Sequence, residues 1–477
     1  MKMPFSRCIA LVAVGSLLCL PARSAEQTAL DHYIARPDTN YNYKLANTVP
    51  GAGQTTFVLD MTSQAWLTTN EVNQPLWKHS LLIVKPEKVT TSKALLFISG
   101  GSADRPTPNS ADRNLVRTAL DTKSIVAELH LVPNQPLLFT DETNGRSEDA
   151  LIAYTWDKFL RTGDEKWPAR LPMTKSAVRA LDTITAFCAS PEGGRTRVDS
   201  FVVAGASKRG WTTWTTAIVD KRVVAIIPLV IDLLNVGPSF QHHFEAYGFW
   251  SPAVKDYTDL KLMDWAGTPE HRALLQIEDP YEYRDRLALP KFIINSCGDQ
   301  FFLPDSSQFY FDDLPGTKYL RYVPNADHSL RGSDAWDTVC ACYNAVLTGA
   351  KLPQFSWTLE QDGSIRVVTR GPPSEVKLWQ ATNPEARDFR LEIIGPVWKS
   401  EPIQAQTGGV YEAKIKPPAQ GWTAFFVELT YPSPGTAPFK FTTNVRVLPD
   451  TLPHKITGPT RVEDTPPRKM KAGGNSN

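Results

Sequence analysis

No charge of one sign predominates in this 477-residue chain: 51 Lys and Arg face 50 Asp and Glu, a net +1. The basic excess of a nucleic-acid binder is missing, which excludes that class. Long apolar runs are missing too. Mean hydropathy is −0.27, and past the N-terminus nothing approaches the ~20 apolar residues of a membrane span. Cysteine is sparse, six in all, and Cys8 and Cys19 lie in the first twenty residues. Cys188, Cys297, Cys340 and Cys342 remain; four cysteines allow three pairings, and the sequence does not choose among these or free thiols. Cys340 and Cys342, two apart on an expected helix, point in different directions and do not suit each other. Hydrophobic residues make up 42% and charged residues 21%, enough to bury a core and to exclude a wholly disordered chain.

The N-terminus carries an address. Lys2 and Arg7 precede the apolar stretch Cys8 to Leu20, which is followed by Pro21-Ala22-Arg23-Ser24-Ala25. This is the layout of a secretory signal peptide, with Ala22 and Ser24 as small residues before a cut after residue 24. Leu18 before Cys19 disfavours a lipoprotein. The expected location is therefore periplasmic or extracellular, with no integral membrane segment after cleavage.

From about residue 90 short apolar runs alternate with amphipathic stretches. Strands are expected at Ala94–Ser99, Ser124–Val132, Val198–Ala204, Val223–Val230, Lys291–Ser296 and Tyr319–Val323. Helices are expected at Ala111–Leu120, Ser147–Arg161, Thr174–Cys188, Lys208–Ala217 and Ser333–Leu347. Continuous apolar strands between helices predict an α/β fold, a mostly parallel sheet covered on both faces. Residues 25–352 form this domain. Within it, 232–290 interrupts the alternation and is rich in aromatics, which predicts a cap over a site. After residue 352 strands are expected at Phe355–Glu360, Ile365–Thr369, Val376–Gln380, Tyr411–Ile415, Thr423–Tyr431 and Phe439–Leu448, so 353–450 reads as a β-sandwich domain. The polar tail, 451–477, is expected to be disordered.

The chemistry centres on Phe201-Val202-Val203-Ala204-Gly205-Ala206-Ser207-Lys208-Arg209-Gly210. A buried strand enters a helix through a small-residue turn, which exposes a serine hydroxyl on a sharp bend at the sheet edge. The usual elbow is G-x-S-x-G; here Arg209 holds the second glycine position and Gly210 follows. A serine nucleophile needs a base, and the base needs an acid to orient it. Among the downstream histidines, His328 alone sits between the last expected strand of this sheet and its last helix. Asp299 ends the strand Lys291–Ser296 and is favoured as the acid over Asp305, six residues on. Two backbone N–H donors for an oxyanion are expected from Lys208 and from the Gly100-Gly101-Ser102 turn, with Gly101 the preferred donor. Arg209, His243 and Trp250 are candidate substrate contacts. His242-His243-x-Glu245 has the residue types of a metal site, but adjacent histidines rarely face one ion, so no metal is expected.

Several long stretches also carry a resemblance. FVVAGASKRGWTTWTTAIVDKRVVAIIPLVIDLLN, PMTKSAVRALDTI, QHHFEAYGFWSPAVKDY and CGDQFFLPDSS with PNADHSL closely resemble the PhoPQ-activated pathogenicity-related proteins, a bacterial family itself similar to the autocrine proliferation repressor of social amoebae. The likeness covers roughly residues 30–450. It implies an α/β-hydrolase fold with Ser207, Asp299 and His328 as the triad, export, and in some bacteria a link to virulence or antimicrobial-peptide resistance. The expectation is an exported serine hydrolase acting on an ester or amide bond of a small molecule or peptide, with no cofactor. The rival is a non-catalytic secreted factor that binds a partner on a hydrolase scaffold.

Overall fold

A computed structural model describes residues 27–106 and 108–456. The expected signal peptide, 1–24, and most of the expected tail lie outside the described residues. Among those described, no helix is long and apolar enough to cross a membrane.

The core is one large mixed sheet. From its edge, Asn42–Gly51, Gln54–Ala65 and Leu76–Pro86 pair antiparallel, and Leu76–Pro86 pairs antiparallel with Ile125–Leu129. From there the sheet is parallel through Lys93–Ile98, Ser200–Ala206, Val223–Leu229, Lys291–Ser296 and Lys318–Val323. The order exchanges Ile125–Leu129 with Lys93–Ile98 and is otherwise sequential. This is an α/β-hydrolase sheet with an added antiparallel edge strand.

Side-chain alternation explains why its central parallel strands are mainly apolar, unlike the exposed edge strand Asn42–Gly51. Leu96, Val203, Ile226 and Ile293 enter one core, with the helices Glu148–Thr162 and Arg170–Ala189. Their neighbours Leu95, Val202, Ile227 and Ile294 enter the other, with Arg113–Thr122 and Ala335–Thr348. Both faces are buried, so neither residue of a pair can be polar.

The C-terminal strands make two layers. Phe355–Leu359, Ile365–Thr369 and Val410–Ala413 form a three-stranded sheet. Its Ile365, Val367, Tyr411 and Ala413 share a core with Val376, Leu378, Phe425, Val427 and Leu429 of the facing strands. Those facing strands, however, continue the main sheet: Phe439–Thr442 pairs with Lys318–Val323 through Thr442 and Leu320. The boundary expected at 352 is therefore crossed by strand pairing, which covers an edge that would otherwise stay open. The single strand expected over Phe439–Leu448 is two, Phe439–Thr442 and Arg446–Leu448, pairing with opposite ends of Trp422–Tyr431. All four described cysteines are free, and Cys188, Cys297 and Cys342 are buried.

Residues 232–290 fold as helices, chiefly Val236–Tyr247 and Pro269–Glu278, with short turns between them. Part of this segment closes over the C-terminal edge of the sheet, beside Ser207.

Candidate active site

Ser207 sits between the strand Ser200–Ala206 and the helix Lys208–Val219, with φ 57° and ψ −124°. A non-glycine residue holds such a conformation only when its surroundings enforce it. Two glycines permit the bend. A Cβ on Gly205 would lie 2.7 Å from the Arg209 carbonyl oxygen, and one on Gly210 would lie 2.9 Å from the carbonyl oxygens of Gly205 and Leu229. The shifted spacing, G-x-S-x-x-G, thus keeps a glycine at each point where the helix meets the strands. Ser207 N–H donates to Leu229 O at 2.8 Å. Lys208 opens the helix, so its N–H has no intrahelical acceptor. Gly101 has φ 130°, a conformation that favours glycine.

His328 and Asp299 are in contact. Nδ1 of His328 lies 2.9 and 2.8 Å from the two Asp299 carboxylate oxygens. Asp299 also accepts from Phe301 N–H at 2.8 Å and from the Ser296 hydroxyl at 3.3 Å. The His328 N–H donates to Gln300 Oε1 at 3.0 Å. Phe301 and Phe302 pack on the imidazole, with ring centroids 4.5 and 5.9 Å away, and both also line the cavity beside Ser207. Asp305 is engaged elsewhere. It pairs with His242 Nε2 at 3.0 Å and with Arg387 Nη2 at 2.5 Å. Burial works to raise its carboxyl, but the charges of Arg387 and His242 outweigh this and hold it far below the usual range.

The cavity beside Ser207 is walled by Trp156, Trp211, Phe240, Tyr257, Phe301 and Phe302, with Ile231, Leu233 and Val254. Residues 232–290 contribute Leu233, Phe240, Val254 and Tyr257. Three charged residues reach it, and each is already paired. Lys208 Nζ lies 2.8 Å from Asp149, and Arg170 Nε lies 3.2 Å from Glu278. Burial works to raise the Asp149 carboxyl, yet the Lys208 charge keeps it below its ordinary value. Burial pushes Glu278 up to about 7 despite Arg170.

Three expected substrate contacts are corrected by their surroundings; none of them lines this cavity. The Arg209 guanidinium is held bidentately by Glu148, at 2.6 and 2.8 Å, and donates to Val132 O. His243 is buried and accepts from Ser251 N–H at 3.0 Å; burial drives its imidazole down to about 3, so it is neutral. Trp250 is only 3% exposed and stands behind Phe240, ring centroids 5.9 Å apart. The adjacent His242 and His243 serve different partners, Asp305 and Ser251 N–H, as side chains about 100° apart on a helix would. Glu148, Asp149, Arg170 and Gln135 escaped the sequence reading. The one signal was Ser147, recognised only as a helix start; nothing local says that the next two acids face the elbow.

Residues 30–390 match the family model described as PhoPQ-activated pathogenicity-related protein. The chain belongs to this family. A relative of this PhoPQ-related chain, Autocrine proliferation repressor protein A of Dictyostelium discoideum, is 38% identical over 469 residues, spanning 92% of this chain and 93% of that protein. Solved structures similar to this PhoPQ-related chain include an acetyl xylan esterase from Paenibacillus sp. R4, at 14% identity, covering 68% of this chain and 96% of that one, TM-score 0.48. Another is acetyl xylan esterase 1 from Thermoanaerobacterium sp. JW/SL YS485, at 15% identity, covering 64% and 87%, TM-score 0.44. The fold assignment stands on the strand order described above.

Proposed function

We propose that this protein is an exported serine hydrolase that cleaves an ester or amide bond in a small molecule or peptide. Ser207 attacks the acyl carbon and His328 takes its proton. Asp299, held against Nδ1, keeps the opposite ring nitrogen as the base and stabilises the imidazolium. The N–H groups of Lys208 and Gly101 receive the oxyanion. His328 then protonates the leaving group, and a water repeats the sequence on the acyl-enzyme. Side chains and backbone carry every step, and no cofactor is called for.

The observation that carries this reading is the pair of hydrogen bonds between Asp299 and His328, in a chain that also holds Ser207 at φ 57° on a strand-to-helix bend. A bent serine alone would fit a structural turn; a carboxylate-oriented imidazole packed on Phe301 and Phe302, which line the Ser207 cavity, is what supports nucleophilic catalysis. The test is labelling by a fluorophosphonate probe. Wild-type protein should be labelled, and well-folded Ser207→Ala should not. Labelling of that variant within tenfold of wild type would remove Ser207 as nucleophile.

A second reading is a secreted factor that binds a partner without turnover, favoured by the relative named as a repressor of proliferation. It predicts no labelling of either protein. Export is checked by sequencing the N-terminus of the mature protein, expected after Ser24. A role in virulence or peptide resistance is part of the proposal, and an amide substrate would suit it.

A further inference from the structure

Glu148 opens the helix Glu148–Thr162 with φ 53°, a left-handed conformation outside the range a glutamate prefers. Such strain persists where several contacts over-determine it. Glu148 has them. Its N–H donates to Gln135 Oε1 at 2.8 Å. Its Oε1 accepts from Gln135 Nε2 and from Arg209 Nη2, both at 2.6 Å. Its Oε2 accepts from Arg209 Nη1 at 2.8 Å and lies 3.2 Å from Lys208 Nζ.

Each partner leads to a different segment. Gln135 Nε2 also donates to Gly101 O at 2.8 Å. Arg209 presses on Gly100, where an added Cβ would come within 2.3 Å of Nη2. Lys208 and Arg209 follow Ser207 directly. One carboxylate is therefore linked, through Gln135 and Arg209, to the glycine turn after Lys93–Ile98, and directly to the elbow after Ser200–Ala206. Those strands pair in parallel, but their ladder ends at Ile98 and Gly205, before either turn. Beyond that point something else must set the distance between the turns.

We propose that Glu148 is a positioning residue that sets the separation of the two oxyanion donors, the N–H groups of Gly101 and Lys208. It acts through Gln135 on one side and through Arg209 and Lys208 on the other. The inference rests on the hydrolase reading above. An oxyanion hole works only when its donors stand 2.7–3.1 Å from the developing anion. A bidentate arginine–carboxylate pair fixes orientation as well as distance, which a glycine turn cannot do for itself. This also gives the basic pair a role. Lys208 and Arg209 brace the elbow and leave no free cation to attract an anionic substrate.

A purely electrostatic role predicts the opposite sign. Removing the Glu148 charge would leave Lys208 and Arg209 less neutralised beside the oxyanion and would speed the reaction. The experiment is saturation kinetics of fluorophosphonate inactivation of the full chain, comparing wild type, Glu148→Gln, Gln135→Met and the double variant. Thermal melting checks that each is folded. Misplacing a donor should lower the limiting rate constant about 10- to 100-fold, short of the loss from deleting one. The apparent inhibitor constant should stay within about twofold. The double variant should be no slower than the worse single variant, since both cut one bridge. Unchanged or faster inactivation, a change confined to the inhibitor constant, or losses that multiply would each overturn the proposal. If Glu148→Gln does not fold, Gln135→Met decides, because it leaves both ion pairs in place. A wild-type protein that does not react at all sinks the hydrolase reading; a reactive wild type with unaffected variants sinks only this one.

Discussion

Asp299 and Asp305 lie six residues apart on one loop, and their partners separate them. Asp299 faces His328, while Asp305 is buried between Arg387 and His242. Asp299→Asn should therefore leave a folded protein whose fluorophosphonate reactivity falls about 10³- to 10⁴-fold, because the amide favours the wrong imidazole tautomer. Asp305→Asn should behave differently. Stripping the charge from a buried pair costs about 3–5 kcal/mol, so its urea midpoint should fall well below wild type while a residual folded fraction stays reactive. Parallel denaturation and labelling of both variants decide this; the reverse order would move the acid to Asp305. The pairing of Asp299 with His328 was legible because both residues follow core strands at the same sheet edge. What occupies Asp305 was not, since Arg387 lies 82 residues away in sequence.

At the scale of elements, the Ser207 bend and the segment 232–290 meet at one cavity. The elbow was readable from its glycines. The helix Glu148–Thr162 was readable from its ends, with Ser147 at the N-cap and Gly163 in a left-handed C-cap at φ 68°. The cap was readable only as an interruption. Its composition marks many aromatics, but which of them reaches the cavity depends on how Val236–Tyr247 is rotated in place. Phe240 faces the cavity and Trp250 stands behind it, against Phe240, His243 and Phe244. Phe240→Ala should open the cavity and shift the ratio of reactivity toward longer acyl esters, read as p-nitrophenyl octanoate over acetate. Trp250→Ala should instead lower stability by about 3–5 kcal/mol, the usual cost of emptying a buried aromatic site. An equal shift in ester preference with no loss of stability would put Trp250 at the cavity after all.

Across the whole molecule, buried carboxyls set the response to pH. Burial pushes Asp232 up to about 8; the hydroxyls of Tyr310 and Tyr322, at 2.6 and 2.5 Å, offset part of this. Burial also takes Glu278 and Asp279 up to about 7. Each of these holds a proton in the folded state that the unfolded chain releases above about pH 4. The folded state then binds more protons, so stability falls as pH rises from about 4 through 7 to 8. Asp305 works the other way. Its folded carboxyl lies below its unfolded value, and its contribution is present above about pH 4 and lost as pH falls further. Buried His79 and His243, lowered to about 4 and about 3, oppose the decline below about pH 6.5, where the unfolded imidazoles take up protons, so the urea midpoint should decline most clearly between about pH 6.5 and 8. Asp232→Asn should flatten that decline by up to about 1.4 kcal/mol per pH unit. Identical slopes in wild type and variant would exclude Asp232 as a source.

The sequence by itself determined what depends on near neighbours. Doubly apolar strands follow from burial on two faces, the serine bend from Gly205 and Gly210, and the order of serine, acid and histidine from the chain. The strand Lys291–Ser296 and the helix starting at Lys208 stand where the residue pattern put them. Only the tertiary structure decided what depends on distant partners. Arg209 turns to Glu148, 61 residues earlier. The C-terminal strands join the main sheet through one residue pair, Thr442 and Leu320. Periodicity and turn chemistry act over a few residues and can be read in order. A charged side chain takes whichever opposite charge the fold brings within reach, and an edge strand takes whichever neighbour is free. Neither partner is written beside the residue it serves.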